Sequence, residues 1–98
     1  MDDIIAQPLR LKIMAALHAH PMNEKIEFGR LKTLLSATDG NLGAHLGTLE
    51  KAGYVAIEKD FVGKKPRTRV SLTATGRIAF TNHVASLRNI LAGAGTVL

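Results

Sequence analysis

The chain has 98 residues, of which 46% are hydrophobic and 21% are charged, a composition typical of one globular domain. The absence of cysteine excludes a disulfide scaffold, thiolate metal sites and cysteine nucleophiles. No apolar run approaches the roughly 20 residues needed to cross a bilayer, and the chain starts with acidic residues where a signal peptide is basic. We therefore expect a single cytoplasmic domain over residues 1–98.

Charge is distributed unevenly along the chain. Lys and Arg number 13 against 8 Asp and Glu, which gives a formal net charge of +5. Residues 1–60 carry 7 basic and 8 acidic side chains, whereas residues 61–98 carry 6 basic side chains and no acidic ones. Such asymmetry indicates either a polyanionic partner, of which nucleic acid is the commonest, or a solvated basic loop.

The first half of the chain predicts helices and one short strand. Pro8 suits the first turn of a helix, whose apolar residues recur at helical spacing until a turn at residues 20–23. Residues 26–28 alternate as a short strand, and a second helix is predicted over residues 29–35. A tight break at Ser36-Ala37 then separates this helix from the next.

The second half begins with a third helix, predicted over residues 39–52, for which Thr38 is a suitable N-cap. A strand, a basic turn, a returning strand and a long last helix are predicted to follow, over residues 54–61, 62–67, 68–72 and 74–91. We expect Thr73 to cap the last helix and Gly93 and Gly95 to end it.

This order of elements is that of a winged helix-turn-helix domain, in which a hairpin follows two helices joined by a tight turn. The expected fold class is therefore α+β and mainly helical, with a C-terminal helix available for dimerisation. In such a domain the second helix of the pair enters the major groove of DNA, and the hairpin lies against the adjacent backbone or minor groove.

Five stretches of the sequence also resemble one known family, in the matching order. They read PLRLKI, FGRLKTLL, TDGNLGAHL, LEKAGYV and LTATGR, beginning at residues 8, 28, 38, 49 and 72. Together they are similar to the MarR/ArsR-type winged-helix transcriptional regulators, and most of all to the short, single-domain members. The resemblance covers residues 4–91 and implies a dimeric DNA-binding repressor or activator.

The third predicted helix has two contrasting sides. At about 100° per residue, Leu42, Leu46 and Leu49 share one narrow sector that must face the core. The opposite sector is nearly bare, and each of the three glycines in this helix costs roughly 0.8–1 kcal/mol relative to alanine. Close approach to DNA would explain the glycines, and so would close packing or a poorly formed helix.

Several side chains on or beside this helix are candidates for contacts with DNA. Asn41, followed by Thr48, is the best candidate for reading a base edge. His45 lies at the border of the leucine sector, where a DNA contact and a half-buried structural role are equally compatible with the sequence. Thr38 suits a plain N-cap as well as a phosphate contact. The full predicted set comprises Ser36, Thr38, Asn41, Ala44, His45, Thr48 and Lys51.

The basic residues between the last two strands predict a wing over residues 62–69 that holds the DNA backbone. The predicted backbone contacts are Lys32, Lys64, Lys65, Arg67 and Arg69. Few side chains on the third helix can read bases, so we expect binding that depends strongly on salt. A solvated turn is the alternative interpretation of the basic residues.

The last helix predicts a second interface. Phe80, Val84, Leu87 and Leu91 are spaced 4, 3 and 4 residues apart, as in a heptad seam, while Ile78 and Ile90 add a second apolar edge. One edge would pack on the domain's own core and the other on a second copy of the chain. The predicted dimer interface comprises Ile4, Ile5, Phe80, Val84, Leu87 and Leu91.

The sequence contains no phosphate-binding loop, dinucleotide fingerprint or nucleophile elbow, so we predict neither an enzyme nor a cofactor. A transition-metal site would need histidines from two subunits, and no metal site is predicted. The predicted partners are double-stranded DNA and a second copy of the chain. Two alternatives remain, a winged helix that binds an acidic protein and, less favoured, an RNA-binding module, because a helix fits the A-form groove poorly.

Overall fold

The fold is given by a computed structural model that describes residues 2–21 and 24–97, with side chains to residue 93. Its elements in chain order are α1 (Asp3–Ala6), α2 (Pro8–His18), β1 (Ile26–Glu27), α3 (Phe28–Leu35), α4 (Asp39–Lys51), β2 (Val55–Val62), β3 (Lys65–Leu72) and α5 (Ala74–Val97). The predicted α+β, mainly helical fold class is confirmed. Part of the turn predicted at residues 20–23 lies outside the described residues.

The structure departs from the predicted elements at three places. The short helix α1 is not predicted, because four residues are too few to show a helical period; the Asp2 carboxylate forms it by accepting the backbone N–H groups of Ile4 and Ile5. Strand β3 begins three residues earlier than predicted. Helix α5 continues through Gly93 and Gly95, so the prediction that these glycines end it is wrong.

The three strands form one antiparallel sheet in the order β1-β3-β2. Strands β2 and β3 pair along their whole length, from Val55 opposite Leu72 to Val62 opposite Lys65. The two residues between them make the turn, in which Gly63 has φ +63°, the conformation that the first central residue of a type II′ hairpin requires. The hairpin is therefore continuous strand almost to its tip.

One apolar core joins the helices to one face of the sheet. Ile13, Met14, Leu31, Leu42 and Val70 are fully buried in it. Burying a leucine or isoleucine side chain stabilises a fold by about 1.5–3 kcal/mol. The core thereby fixes the position of α4 and of the base of the hairpin relative to each other.

The start of α5 is joined to the end of α4 through backbone contacts. The Thr73 N–H donates to the Tyr54 carbonyl at 3.1 Å, and the Thr73 hydroxyl donates to the Gly53 carbonyl at 2.6 Å. The same hydroxyl accepts the Gly76 N–H at 2.9 Å and so caps α5, as the sequence predicts. Gly76 packs so closely that a Cβ atom there would lie 2.0 Å from the Tyr54 carbonyl oxygen.

A polar network links the N-terminus to this joint. The Tyr54 hydroxyl donates to the Asp2 carboxylate at 2.5 Å, and the Asp2 backbone N–H donates to Nδ1 of the buried His83 at 3.3 Å. Burial raises the pKa of Asp2, but the hydrogen bonds from Tyr54 and from the backbone of α1 outweigh it, and the pKa lies below its ordinary value. The bond to Asp2, followed by burial, raises the pKa of Tyr54.

We expect Tyr54 to titrate above 10.0, its ordinary pKa, in the folded protein. Because the folded pKa is raised, the stability that this bond contributes is complete below pH 10.0 and is lost as the pH rises through the folded pKa. Tyr54 is the one tyrosine, and the chain has no tryptophan, so near-ultraviolet absorbance reports its ionisation directly. In Asp2→Asn the midpoint should move back toward the value of the urea-unfolded chain; an unchanged midpoint would contradict the network.

Candidate nucleic-acid interface

Helices α3 and α4 form a helix-turn-helix unit. Ser36 ends α3 in the left-handed conformation, with φ 51°, and the Ala37 N–H donates to the Lys32 carbonyl at 3.1 Å. Thr38 then caps α4 by accepting the Asn41 N–H at 3.2 Å, as predicted. An exposed ion pair of 2.9 Å between Lys32 and Asp39 bridges the turn. The turn is therefore short and stiff, which holds α4 at a fixed angle to α3.

Helix α4 buries its leucine side and exposes the opposite side. Leu42, Leu46 and Leu49 are at most 2% exposed, which confirms the predicted core sector. Gly40 and Ala44 on the other side are exposed, and Gly47 is half-buried. A whole side of the helix is thus available to a partner along the length of α4.

The glycines of α4 have no packing role among the residues that the structure describes. An added Cβ atom at Gly40, Gly43 or Gly47 would meet no heavy atom within 4 Å. The helix is nevertheless regular from Asp39 to Lys51. Neither close packing nor a poorly formed helix therefore explains the glycines, and of the explanations considered only close approach of a partner remains.

The predicted contact residues of α4 line this open side and its edges. Asn41, Ala44 and Lys51 are exposed, as are Ser36 and Thr38 before the helix. His45 and Thr48 are half-buried, and the Thr48 hydroxyl donates to the Ala44 carbonyl at 3.4 Å. The side chains that can form hydrogen bonds with a partner are few and short.

The hairpin of β2 and β3 presents two different faces, because side chains alternate along each strand. Its inner face begins with the core pair Ile57 and Val70 and continues outward with the pairs Lys59–Thr68 and Phe61–Pro66. Its outer face carries the pairs Glu58–Arg69, Asp60–Arg67 and Val62–Lys65. The inner face is the one that packs toward α4.

On the outer face, ion pairs hold two of the predicted wing cations. Arg67 donates two hydrogen bonds to Asp60, at 2.9 and 2.7 Å, and Arg69 donates to Glu58 at 2.7 Å. The bonds from Arg67 lower the pKa of Asp60, while Lys25, followed by Arg69, lowers the pKa of Glu58. These ion pairs stiffen the hairpin, and a phosphate would have to displace the carboxylates to reach either arginine. The contacts of Arg67 and Arg69 with the DNA backbone stay a prediction. Lys64 and Lys65 at the tip are exposed.

Two residues of the inner face were missed in the sequence. Lys59 is exposed and borders a groove of about 250 Å³ together with Gly43 of α4 and Thr68. Phe61 lies beyond it and is 70% exposed. The alternation of the strand, counted outward from Ile57, would have placed both on the side of α4.

The predicted dimer residues fall into two groups. Ile5 is completely buried in the chain's own core, so its assignment to an interface is wrong, because no surface is left for a second copy. Phe80 is 9% exposed, and Val84 and Ile4 pack against the same core. Leu87 is half-buried, whereas Leu91 is 70% exposed.

The far half of α5 is its more open part. Ile90 and Leu91 are 54% and 70% exposed, and every residue from 88 to 93 is exposed. Ile78, near the start of the helix, is 63% exposed on a different side of it. A helical segment without tertiary packing is only marginally stable in water. The far half of α5 is therefore an apolar surface that projects from the domain.

Two kinds of site are absent from the part of the chain that the structure describes. No group of three His, Asp or Glu side chains within it could hold a metal ion. Among the same residues, no helix combines the length and the hydropathy needed to cross a membrane.

Comparison with known proteins identifies the family. The model of the winged helix DNA-binding domain matches residues 9–91. The uncharacterized protein MJ0432 of Methanocaldococcus jannaschii is 40% identical over 76 residues, which cover 78% of this chain and 79% of that protein.

Solved structures agree with this assignment. A transcriptional regulator homologue from Pyrococcus horikoshii OT3 is 32% identical, with a TM-score of 0.83 over 93% of this chain and 87% of that one. A protein of Enterococcus faecalis V583 assigned to the MarR family of transcriptional regulators is 25% identical, with a TM-score of 0.72 over 97% and 84% of the two chains. The chain therefore belongs to the winged-helix DNA-binding domain family and is similar to transcriptional regulators, among them one assigned to the MarR family.

Proposed function

We propose that the protein regulates transcription as a homodimer on double-stranded DNA. Helix α4 lies in the major groove, and the hairpin lies against the adjacent backbone and minor groove. The observation that supports this most is the open side of α4, where three glycines have empty space in place of a packing partner. A helix that is bare on one side can approach the floor of a groove closely, and the groove is about 12 Å wide.

The proposed contacts are mostly with the backbone. Exposed lysines surround the open side of α4, at its C-terminus, beside the groove and at the hairpin tip: Lys51, Lys59, Lys64 and Lys65. Asn41 and Thr48 are the side chains proposed to read bases. Affinity therefore comes largely from charge and shape, and base readout is thin.

A mobility-shift assay tests the proposed function. The purified protein is titrated with duplex DNA of random sequence at about 50 mM and about 200 mM salt. Strong binding at the lower salt that weakens steeply at the higher salt is the expected result. Absence of binding at the lower salt would overturn the proposal and favour an acidic protein as the partner.

The hairpin lysines should account for a measurable part of the salt dependence. Replacing Lys64 and Lys65 with alanine removes two phosphate contacts from each copy, four in the proposed homodimer, so the slope of log affinity against log salt should flatten by about 3.6. The loss should be similar for all DNA sequences, since phosphates carry no sequence information. Lys12→Ala, which removes one exposed charge from α2 outside the proposed DNA and dimer contacts, is the control and should leave the slope unchanged. A slope unchanged in the double variant would reject the role of the hairpin tip.

The homodimer is proposed on the apolar surface of α5. Ile90 and Leu91 on the projecting far half of the helix would be buried by a second copy related by a two-fold axis. Such a dimer presents two α4 helices to half-sites about 34 Å apart, one turn of DNA. Sedimentation equilibrium at micromolar concentration should show a dimer; a monomer would overturn this part of the proposal.

A further inference from the structure

The tip of the hairpin is unusually apolar for a surface that also carries lysines. Phe61 and Val62 are 70% and 57% exposed, and Pro66 lies directly opposite Phe61. Single exposed apolar residues are common, but an apolar group rimmed by charge at the end of a projecting element marks a contact surface. None of the contacts within the core explains why an aromatic ring is placed here.

The register of the hairpin separates these apolar residues. Phe61 and Pro66 lie on the inner face, in line with Lys59 and with the groove beside Gly43 of α4. Val62 lies on the outer face, next to the ion pairs of Asp60 and Arg67. A partner seated against the open side of α4 therefore meets the ring of Phe61 and not Val62.

The length of the hairpin indicates which part of a DNA duplex Phe61 would reach. Phe61 lies four residues and Gly63 six residues beyond the half-buried Ile57, which corresponds to about 13 Å and about 20 Å of strand. Neighbouring major and minor grooves are spaced by about half of the roughly 34 Å helical turn. A hairpin that starts beside a helix in the major groove thus reaches the flanking minor groove with its tip.

We propose that Phe61, supported by Pro66, is an apolar wedge that enters the minor groove and partly unstacks a base step. Apolar side chains that enter the minor groove in this way kink the duplex toward the major groove. Charge favours DNA over a second copy of the chain as the occupant, because Lys59, Lys64 and Lys65 would face the same lysines of that copy. This inference rests on the proposed function and adds to it the mode of contact and a deformation of the DNA.

The test compares two matched variants of the full chain, Phe61→Ser and Val62→Ser. The probe is a mixed-sequence duplex of about 30 base pairs, long enough for two half-sites, in which 2-aminopurine replaces the adenine of one TA step at a time, because TA steps unstack most easily. Affinity, salt slope and 2-aminopurine fluorescence are measured with each protein.

Wild-type binding with increased fluorescence at a TA step is the expected result. Phe61→Ser should lose that signal and about tenfold in affinity, because the contact between the aromatic ring and the bases is removed. The salt slope should stay unchanged because no charge is removed. Val62→Ser should behave as the wild type in all three measurements.

Each other outcome overturns the wedge in a distinguishable way. If the wild type binds DNA and Phe61→Ser binds with equal affinity and signal, the wedge is wrong while the proposed function stands. If Val62→Ser loses as much affinity and fluorescence signal as Phe61→Ser, the contact is not specific to the inner face and the wedge is wrong. If Phe61→Ser instead loses binding to phosphatidylserine vesicles with DNA binding intact, the tip contacts lipid. If the wild type binds no DNA, the proposed function fails with it.

Discussion

Replacing Gly76 with alanine is expected to destabilise the domain by about 3 kcal/mol or more. The new methyl group would lie 2.0 Å from the Tyr54 carbonyl oxygen and 2.8 Å from its carbon, both of which are backbone atoms that cannot turn aside. Relief requires α5 to move away from the end of α4, which breaks the hydrogen bonds of Thr73 to residues 53 and 54. A domain of this size has a total stability of roughly 5–15 kcal/mol, so the loss is a large part of it.

Urea denaturation followed by far-ultraviolet circular dichroism measures this effect. Gly93→Ala is the matched control, because it lies in the same helix and a Cβ atom there meets nothing within 4 Å. The control should gain stability, by up to about 1 kcal/mol. Equal midpoints for Gly76→Ala and the wild type would show that the joint between α4 and α5 is looser than the structure describes.

Replacing Gly43 and Gly47 together with alanine should change stability and DNA binding in opposite directions. Replacing two helical glycines with alanine raises stability by about 1–2 kcal/mol, and no atom in the described part of the chain lies within 4 Å of the new methyl groups. On the DNA, the same methyl groups would hold the helix away from the groove. Misfitting groups in a packed contact cost about 1–3 kcal/mol, so affinity should fall about 10- to 100-fold.

Thermal melting and the mobility-shift assay measure the two effects in the same preparations. The control is the opposite substitution, Ala44→Gly, at a position on the same open side of α4. This variant should lose about 1 kcal/mol of stability and should introduce no clash with DNA. If the double variant melts higher and binds DNA as well as the wild type, the open side of α4 does not enter the groove.

The parts of the fold that follow from local periodicity could be predicted from the sequence. The leucines of α4 repeat at helical spacing and are buried as predicted. Thr38 and Thr73 are recognisable as caps from their place before helical segments, and both accept the predicted backbone N–H groups. The winged-helix order follows from these segments, because each one shows its own pattern.

What the sequence could not show depends on contacts between distant residues. The stretch from Gly63 to Arg67 has the composition of a loop, yet pairing with β2 extends the strand to Lys65 and leaves a two-residue turn. The carboxylates that hold Arg67 and Arg69 become visible only when the register is known. Ile5 was assigned to an interface because no pattern in the sequence predicts α1 or its place in the core.

The joint between α4 and α5 has a mechanical consequence. Helix α5 has 24 residues and is therefore about 36 Å long, and its first turn is bonded to the residues that follow α4. A tilt of about 5° at this joint moves the far end of α5 by about 3 Å over that length. Conversely, a displacement of about 3 Å at the far end changes the angle between α5 and α4 by about 5°. In the proposed homodimer, the angle at which two copies cross along α5 would set the separation of the two α4 helices. A change in packing at the distal end of α5 would then alter the fit to DNA without rearranging the core.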